Sequence, residues 1–123
     1  AKKVFPNTLF MADVSNFEEG EAAVSAGIDL VGTTLSGYTP YTQEKLQRDR
    51  WYEHKPDFKL LEDLVKSFPS TPIIAEGRYR DPKQCYKAIH EYCAFVVCVG
   101  SQVTRPREIV RWHVKAIKEG GFK

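Results

Sequence analysis

The feature of this sequence that most constrains its fold is a strict alternation of short apolar runs with segments of helical periodicity. The apolar runs cover residues 9–14, 28–35, 73–75 and 94–100, and a helical pattern follows each of them. Such alternation predicts right-handed crossovers and a parallel sheet. Because the run at 73–75 shows no internal alternation, we expect its strand to be covered on both faces.

A sheet of only four strands leaves both of its edges open unless another element covers them. The same pattern is expected of half of an eight-stranded barrel. We therefore predict an α/β fold, a TIM (β/α)8-type barrel of which this chain holds four β/α units, with residues 1–123 forming a single domain. The open edges predict a homodimer, or association with the missing half of the barrel.

Local signals predict where the helices begin and where loops lie. Ser15 and Glu18 have the spacing of a capping box at the start of the first helix. Residues 101–105 are predicted to form a polar loop, and Pro106 to open the last helix. The polar stretch 36–55 is long for a loop, and loops of this length are usually functional or disordered.

Composition excludes several classes of partner. The net charge is +2, and basic residues are scattered among acidic ones, which argues against nucleic acid as a partner. No apolar stretch reaches the length of a membrane span, and the first residues lack the apolar core of a signal peptide. The three cysteines have no metal-type spacing, so we expect reduced, inert packing residues in a cytoplasmic protein.

The predicted carboxyl ends of all four strands carry polar residues or glycine. These residues are Asp13, Thr33, Thr34, Glu76, Gly77, Arg78, Gly100 and Ser101. In α/β barrels the active site lies at this edge of the sheet. Glu76 is the best candidate for a proton-transfer group, although a solvated glutamate at a strand end remains the alternative. Asp13 is the second candidate, and its alternative role is that of an acid near a helix start.

The glycines at these strand ends suggest a phosphate site. Gly77 and Gly100 would let the backbone approach a phosphate closely. Ser101 would donate a hydrogen bond to it, and Arg78 or Arg105 would neutralise it. The alternative is that the glycines only end the strands and that Arg105 is solvated.

The aromatic and histidine residues constrain the predicted function less than the strand ends do. Tyr38 and the other aromatic residues of the long loop either form a lid that stacks on a sugar or pack the loop onto the helices. The three histidines have no ligand spacing, so we expect no metal.

Four motifs occur in an order that resembles one family. Residues 11–15, 32–39, 75–78 and 104–106 read MADVS, GTTLSGYT, AEGR and TRP. Together they resemble the N-acylmannosamine-6-phosphate 2-epimerases, and the resemblance covers nearly the whole chain. It implies a (β/α)8 barrel that interconverts N-acetylmannosamine 6-phosphate and N-acetylglucosamine 6-phosphate in sialic-acid catabolism, without cofactor or metal.

The resemblance also assigns roles to residues of this chain. Glu76 would be the acid/base partner of the family's catalytic lysine, and Asp13 an active-site acid. The residues around the phosphate would be Gly77, Arg78, Gly100, Ser101 and Arg105. We assign Thr33, Thr34 and Tyr38 as further contacts of the phosphorylated amino sugar.

Family members are about twice as long, so this sequence corresponds to their C-terminal half. The catalytic lysine and a substrate-binding arginine lie in the other half, and we therefore expect the isolated chain to be inactive or much impaired. The sequence departs from the family pattern in the loop 43–55, which is longer and more charged, and at residues 100–103. Two alternatives remain: another phosphate-binding barrel isomerase or lyase, and a non-catalytic half-barrel that binds phosphosugar or serves assembly.

Overall fold

The chain alternates strands and helices as predicted. The structure, a computed structural model, describes residues 2–42 and 55–119. Its elements in chain order are β1 (Met11–Asp13), α1 (Phe17–Ser25), β2 (Leu30–Gly32), α2 (Phe58–Ser67), β3 (Ile73–Glu76), α3 (Pro82–His90), β4 (Val96–Cys98), α4 (Ser101–Thr104) and α5 (Pro106–Glu119). The strands β1, β2 and β4 are shorter than the apolar runs that predict them, because each run continues into the flanking turns, whereas β3 extends one residue beyond its run.

The four strands form one parallel sheet in the order β1-β2-β3-β4. Asp13 pairs with Gly32, Gly32 with Ile74, and Ile74 with Val96. Among the described residues β1 and β4 each have a single neighbouring strand. The prediction of a parallel sheet with two open edges is therefore confirmed.

One face of the sheet, here called the outer face, packs against the helices. Val31 of β2 is fully buried there, and Leu61 and Leu64 of α2 are buried against it. The buried core consists of Val14, Val31, Leu60, Leu61, Leu64, Ile73, Ala75, Tyr79, Ala88 and Ala94. Burial of these side chains is the main term that stabilises the sheet-on-helix arrangement.

The opposite face, the inner face, is partly open to solvent. Met11 of β1 is 41% exposed and Val96 of β4 is 43% exposed. The exposure pattern of β4 is exposed, intermediate, exposed. In β3, the strand expected to be covered on both faces, buried and intermediate residues alternate, so its inner face is only partly covered. The apolar run 94–100 is typical of a strand that is buried on both faces. Burial of the inner face of β4 would need a further layer of structure, which the described residues do not supply.

The first helix begins one residue later than the predicted capping box. Asn16 is the N-cap, and its side chain accepts a hydrogen bond from the Glu19 N–H at 2.9 Å. Glu19 in turn accepts from the backbone N–H and the hydroxyl of Ser15. Ser15 is fully buried and its hydroxyl also accepts from Thr39, so it ties the loop after β2 to the helix start instead of capping it.

The segment after β4 is a short helix, not the predicted loop. The carbonyl of Gly100 accepts from the N–H groups of Val103 and Thr104 at 2.9 and 3.1 Å, which closes one helical turn. Pro106 opens α5 as predicted, and Trp112 of that helix is buried. Across the described ranges, no helix combines the length and apolar character that a bilayer crossing requires.

Candidate functional site

The two candidate acids lie at the same edge and on the same face of the sheet. Asp13 ends β1 and is level with Gly32, which is level with Ile74. Glu76 follows Ile74 by two positions and ends β3, so its side chain shares the inner face with that of Asp13. With β2 between them, the two strands that carry these acids are about 10 Å apart.

The Asp13 carboxylate is held by a hydroxyl from the turn that follows β2. Thr34 Oγ1 donates to Asp13 Oδ1 at 2.8 Å. A Cβ at Gly32 would lie 3.0 Å from Thr34 Oγ1 and 3.2 Å from Asp13 Oδ1, and would also collide with the Met11 side chain. Glycine at this position therefore leaves the space in which the Asp13–Thr34 pair forms.

Glu76 is held through its backbone. Thr33 Oγ1 donates to the Glu76 carbonyl at 2.8 Å and accepts from the Glu76 N–H at 3.1 Å. Thr33 is 3% exposed, whereas its neighbour Thr34 is half-buried on the inner face. The two consecutive threonines thus contact different acidic residues: Thr33 bonds the backbone of Glu76, and Thr34 bonds the carboxylate of Asp13.

Cys98 of β4 lies directly opposite Glu76 in the register of the sheet. Desolvation raises the pKa of the Cys98 thiol, and the negative charge of Glu76 and a hydrogen bond to it raise the pKa further. Cys98 therefore lies in the site as a neutral thiol beside a carboxylate. The expectation of packing residues is confirmed for Cys85, which contacts the core, but Cys93 and Cys98 are exposed; all three cysteines are free.

A cavity of about 210 Å³ opens between the loops that follow β2, β3 and β4. Its lining residues are Thr34, Tyr38, Glu76, Gly77, Arg78, Tyr79, Arg80, Cys98, Gly100, Ser101 and Gln102. Seven of the residues predicted from the strand ends and motifs are among them. Three predicted residues are not: Asp13 contacts the wall through Thr34, Thr33 lies behind Glu76, and Arg105 is an exposed residue directly after α4.

The turn after β3 is made by two consecutive residues with positive φ. Gly77 has a φ of 103° and Arg78 a φ of 66°. This left-handed conformation is easy for glycine and costs energy for arginine, so tertiary contacts must hold Arg78 in it. Those contacts are with the loop after β2: Arg78 Nε donates to the Lys55 carbonyl at 2.9 Å, and Nη1 donates to the Ser36 carbonyl. Arg78 thus joins the two ends of the long loop while it lines the cavity.

Arg80 is a cavity cation that the sequence analysis did not single out. Its guanidinium lies 4.5 Å from the centre of the Trp112 ring, which connects the loop after β3 to α5. Burial lowers the pKa of Arg80, yet an arginine remains charged at neutral pH. The sequence feature that could have identified Arg80 is its position two residues after Arg78, in the loop that follows β3.

The remaining predictions concern the lid and metals. Tyr38 lines the cavity, and the Arg78 guanidinium lies over it, 5.8 Å from the centre of the Tyr38 ring. Trp51 and Tyr52 fall outside the described residues. Within residues 2–42 and 55–119, no group of three or more His, Cys, Asp or Glu side chains is arranged to hold a metal ion.

The chain is similar to known proteins over nearly all of its length. The family model of NanE, described as "Putative N-acetylmannosamine-6-phosphate epimerase", matches residues 2–119. The chain belongs to the NanE family. A relative from Caldanaerobacter subterraneus subsp. tengcongensis, named "Putative N-acetylmannosamine-6-phosphate 2-epimerase", is 45% identical over 118 residues, which are 96% of this chain and 46% of the relative. A relative of the same name from Listeria monocytogenes is 42% identical and is covered to 48%.

A solved structure of a NanE relative gives the same result for the fold. The N-acetylmannosamine-6-phosphate 2-epimerase from Clostridium perfringens superposes with a TM-score of 0.78 at 40% identity, over 91% of this chain and 44% of that one. The prediction of a TIM-barrel type fold, with four of its β/α units here, is confirmed. The chain spans about half the length of the NanE relatives that it matches.

Proposed function

We propose that this chain contributes the C-terminal half of an active site that epimerises C2 of N-acetylmannosamine 6-phosphate to give N-acetylglucosamine 6-phosphate. The observation that carries the proposal is the placement of Glu76 and Asp13 at one edge and one face of the sheet, with Glu76 in the wall of a cavity edged by glycine turns. The names of the NanE relatives supply the substrate.

Epimerisation at C2 sets clear demands on a site. A proton next to the aldehyde of the open-chain sugar must be removed, which leaves an enolate, and a proton must return to the opposite face. Two groups on opposite sides of C2 achieve this, and a donor must stabilise the developing oxyanion. A bound phosphate fixes C2 between the two groups.

The chain meets part of these demands. Glu76 is the proposed proton-transfer group, and Asp13, held by Thr34, is the proposed second active-site acid. Gly77, Gly100 and Ser101 line the part of the cavity proposed for the phosphate. Arg80 joins Arg78 as a cation there, and the neutral phenol of Tyr79, whose pKa burial raises, provides a donor nearby.

The second proton-transfer group is proposed to come from another polypeptide. The inner face that a completed barrel would cover is partly exposed, and β1 and β4 each have an unpaired edge among the described residues. We propose that the chain associates with the missing barrel half or with a second copy of itself. The three free thiols favour a reducing compartment, and we propose the cytoplasm.

The test uses a completed barrel. The part of the Clostridium perfringens epimerase that this chain does not match, which we propose to be its first half, is fused to the chain. Epimerisation is followed by NMR as deuterium incorporation at C2. Glu76→Gln should lower kcat by about 100-fold or more, the usual contribution of a positioned acid or base. Glu62→Gln, which changes a half-buried glutamate of α2 bonded to Lys66, should leave kcat unchanged.

Several outcomes would contradict the proposal. Full activity of the Glu76→Gln barrel would favour a non-catalytic half-barrel. Preference for a different sugar phosphate would favour another barrel isomerase. Turnover by the isolated chain as a monomer would contradict the requirement for a second polypeptide.

A further inference from the structure

The hydrogen bonds between β2 and β3 change partner at the residue that carries the proposed proton-transfer group. Val31 N donates to the Pro72 carbonyl and Thr33 N to the Ile74 carbonyl, both at 3.1 Å. A parallel ladder that continued at this spacing would next join Leu35 N to the Glu76 carbonyl. Leu35 N instead donates to the Val14 carbonyl at 3.1 Å, because the chain turns towards β1.

The hydroxyl of Thr33 occupies the place that the backbone leaves. Thr33 Oγ1 donates to the Glu76 carbonyl and accepts from the Glu76 N–H. These two groups lie on either side of the Glu76 Cα. One hydroxyl therefore fixes the backbone atom from which the Glu76 carboxylate projects into the cavity.

We infer that Thr33 is a positioning residue for Glu76 and not a substrate contact. The inference rests on the function proposed above, since it matters for catalysis only if Glu76 transfers a proton. Thr33 is 3% exposed and is not part of the cavity wall. The one proton of its hydroxyl is donated to the Glu76 carbonyl, so none remains for a sugar.

Thr34 provides the matched comparison. It is the adjacent residue, has the same side chain, and bonds Asp13 instead of Glu76. Its hydroxyl lies on the inner face and lines the cavity. Replacing either threonine by valine removes the same hydroxyl group. The change at Thr33 releases Glu76, and the change at Thr34 releases Asp13.

The test compares Thr33→Val, Thr33→Ser and Thr34→Val in the fused barrel. Thr33→Val should lower kcat by roughly 10- to 100-fold with little change in KM, because a displaced reacting group weakens the chemical step and not binding. Thr33→Ser should restore most of kcat, since serine keeps the hydroxyl. In amide exchange, Thr33→Val should speed exchange of the Glu76 N–H by about tenfold, and Thr34→Val should leave that exchange unchanged.

The outcomes separate this inference from the proposed function. If Thr33→Val raises KM with kcat unchanged, Thr33 binds substrate and the inference is wrong. If exchange at Glu76 is the same in Thr33→Val, the bond does not hold Glu76, and this measurement needs no activity. If Glu76→Gln leaves kcat intact, the proposed function itself fails. If Glu76→Gln lowers kcat and Thr33→Ser does not rescue Thr33→Val, only the positioning role fails.

Discussion

At the scale of single residues, the composition of the site depends on which face of the sheet each side chain lies on. Cys98 and Glu76 share the inner face because they are partners in the β3–β4 register. The carboxylate raises the pKa of the thiol, so the two groups are coupled. A change at Glu76 should therefore be detectable at Cys98 even without substrate.

This coupling predicts the reactivity of Cys98 towards a thiol alkylating agent such as iodoacetamide. Because only the thiolate reacts, the raised pKa of Cys98 should make it slower at neutral pH than the exposed Cys93. Glu76→Gln removes the negative charge, lowers the pKa of Cys98 and should accelerate its alkylation, as measured by mass spectrometry of the modified peptides. Glu62→Gln serves as the control, and an unchanged Cys98 rate in Glu76→Gln would refute the coupling.

At the scale of elements, α1 and α2 approach each other through a glycine. A Cβ at Gly20 would collide with the Cδ2 atom of Leu64, which is fully buried. Gly20 therefore sets how closely the two helices pack on the outer face of the sheet.

The close approach of Gly20 to Leu64 predicts that the effect of Gly20→Ala on the free energy of unfolding depends on whether Leu64 is present. Gly20→Ala alone should lower the free energy of unfolding by about 1 kcal/mol, since overpacking costs about 2 kcal/mol and the helix gains about 1 kcal/mol. Leu64→Ala should cost about 2–5 kcal/mol. In the Leu64→Ala background, Gly20→Ala should be neutral or stabilising, as measured by urea unfolding. Equal effects in both backgrounds would show that the contact is absent.

A second element-scale contact ties the N-terminal segment to the start of β2. Asp29 accepts from Lys2 Nζ at 2.6 Å and from the Phe10 N–H at 2.8 Å. The hydrogen bond from Lys2, followed by that from Phe10, lowers the pKa of Asp29 below the usual 3.8. The carboxylate form is thus favoured in the folded chain.

The sign of the pH dependence follows from this lowered pKa. Protons bind more readily to the unfolded chain, so the contribution of Asp29 to stability is present above the usual pKa of 3.8 and is lost as pH falls through the lower folded value. Asp29→Asn should reduce the loss of stability on acidification, measured by thermal unfolding across the acid range. Asp63→Asn, at a half-buried aspartate paired with Lys59, is the control. If the Asp29→Asn variant and the unmodified chain lose the same amount of stability on acidification, this assignment is contradicted.

At the scale of the whole molecule, the sheet resembles one part of a larger closed structure. Its inner face exposes Met11 and Val96, and its two edge strands have one neighbour each among the described residues. An apolar face and open edges of this kind favour association.

The exposed inner face predicts that a charge placed there blocks association with the other barrel half. Val96→Lys would bury an unpaired ammonium, which costs about 3–5 kcal/mol and weakens binding by at least about 100-fold. Tyr86→Lys, on a 62% exposed residue of α3, should leave binding unchanged. Sedimentation or light scattering of the mixed halves measures the effect. Equal binding by the Val96→Lys and unmodified chains would exclude the inner face as the contact.

The amino-acid sequence by itself determined the alternation of strands and helices, the parallel sheet and the strand ends that carry the site. These features depend on spacings of two to four residues, which one stretch of chain specifies on its own. Glu76 was predictable because an acid and a glycine directly follow a buried apolar run. Pro106 likewise marks its helix start locally.

Only the tertiary structure decided which partner each of these residues meets. Thr33 and Glu76 are 43 positions apart, and their bond exists because β2 turns away from β3 at that point. Arg78 is held by the loop after β2, and Cys98 reaches the site through the register of β4. Distant partners of this kind depend on strand register and divergence, which arise from packing of the whole sheet and leave no mark in local spacing.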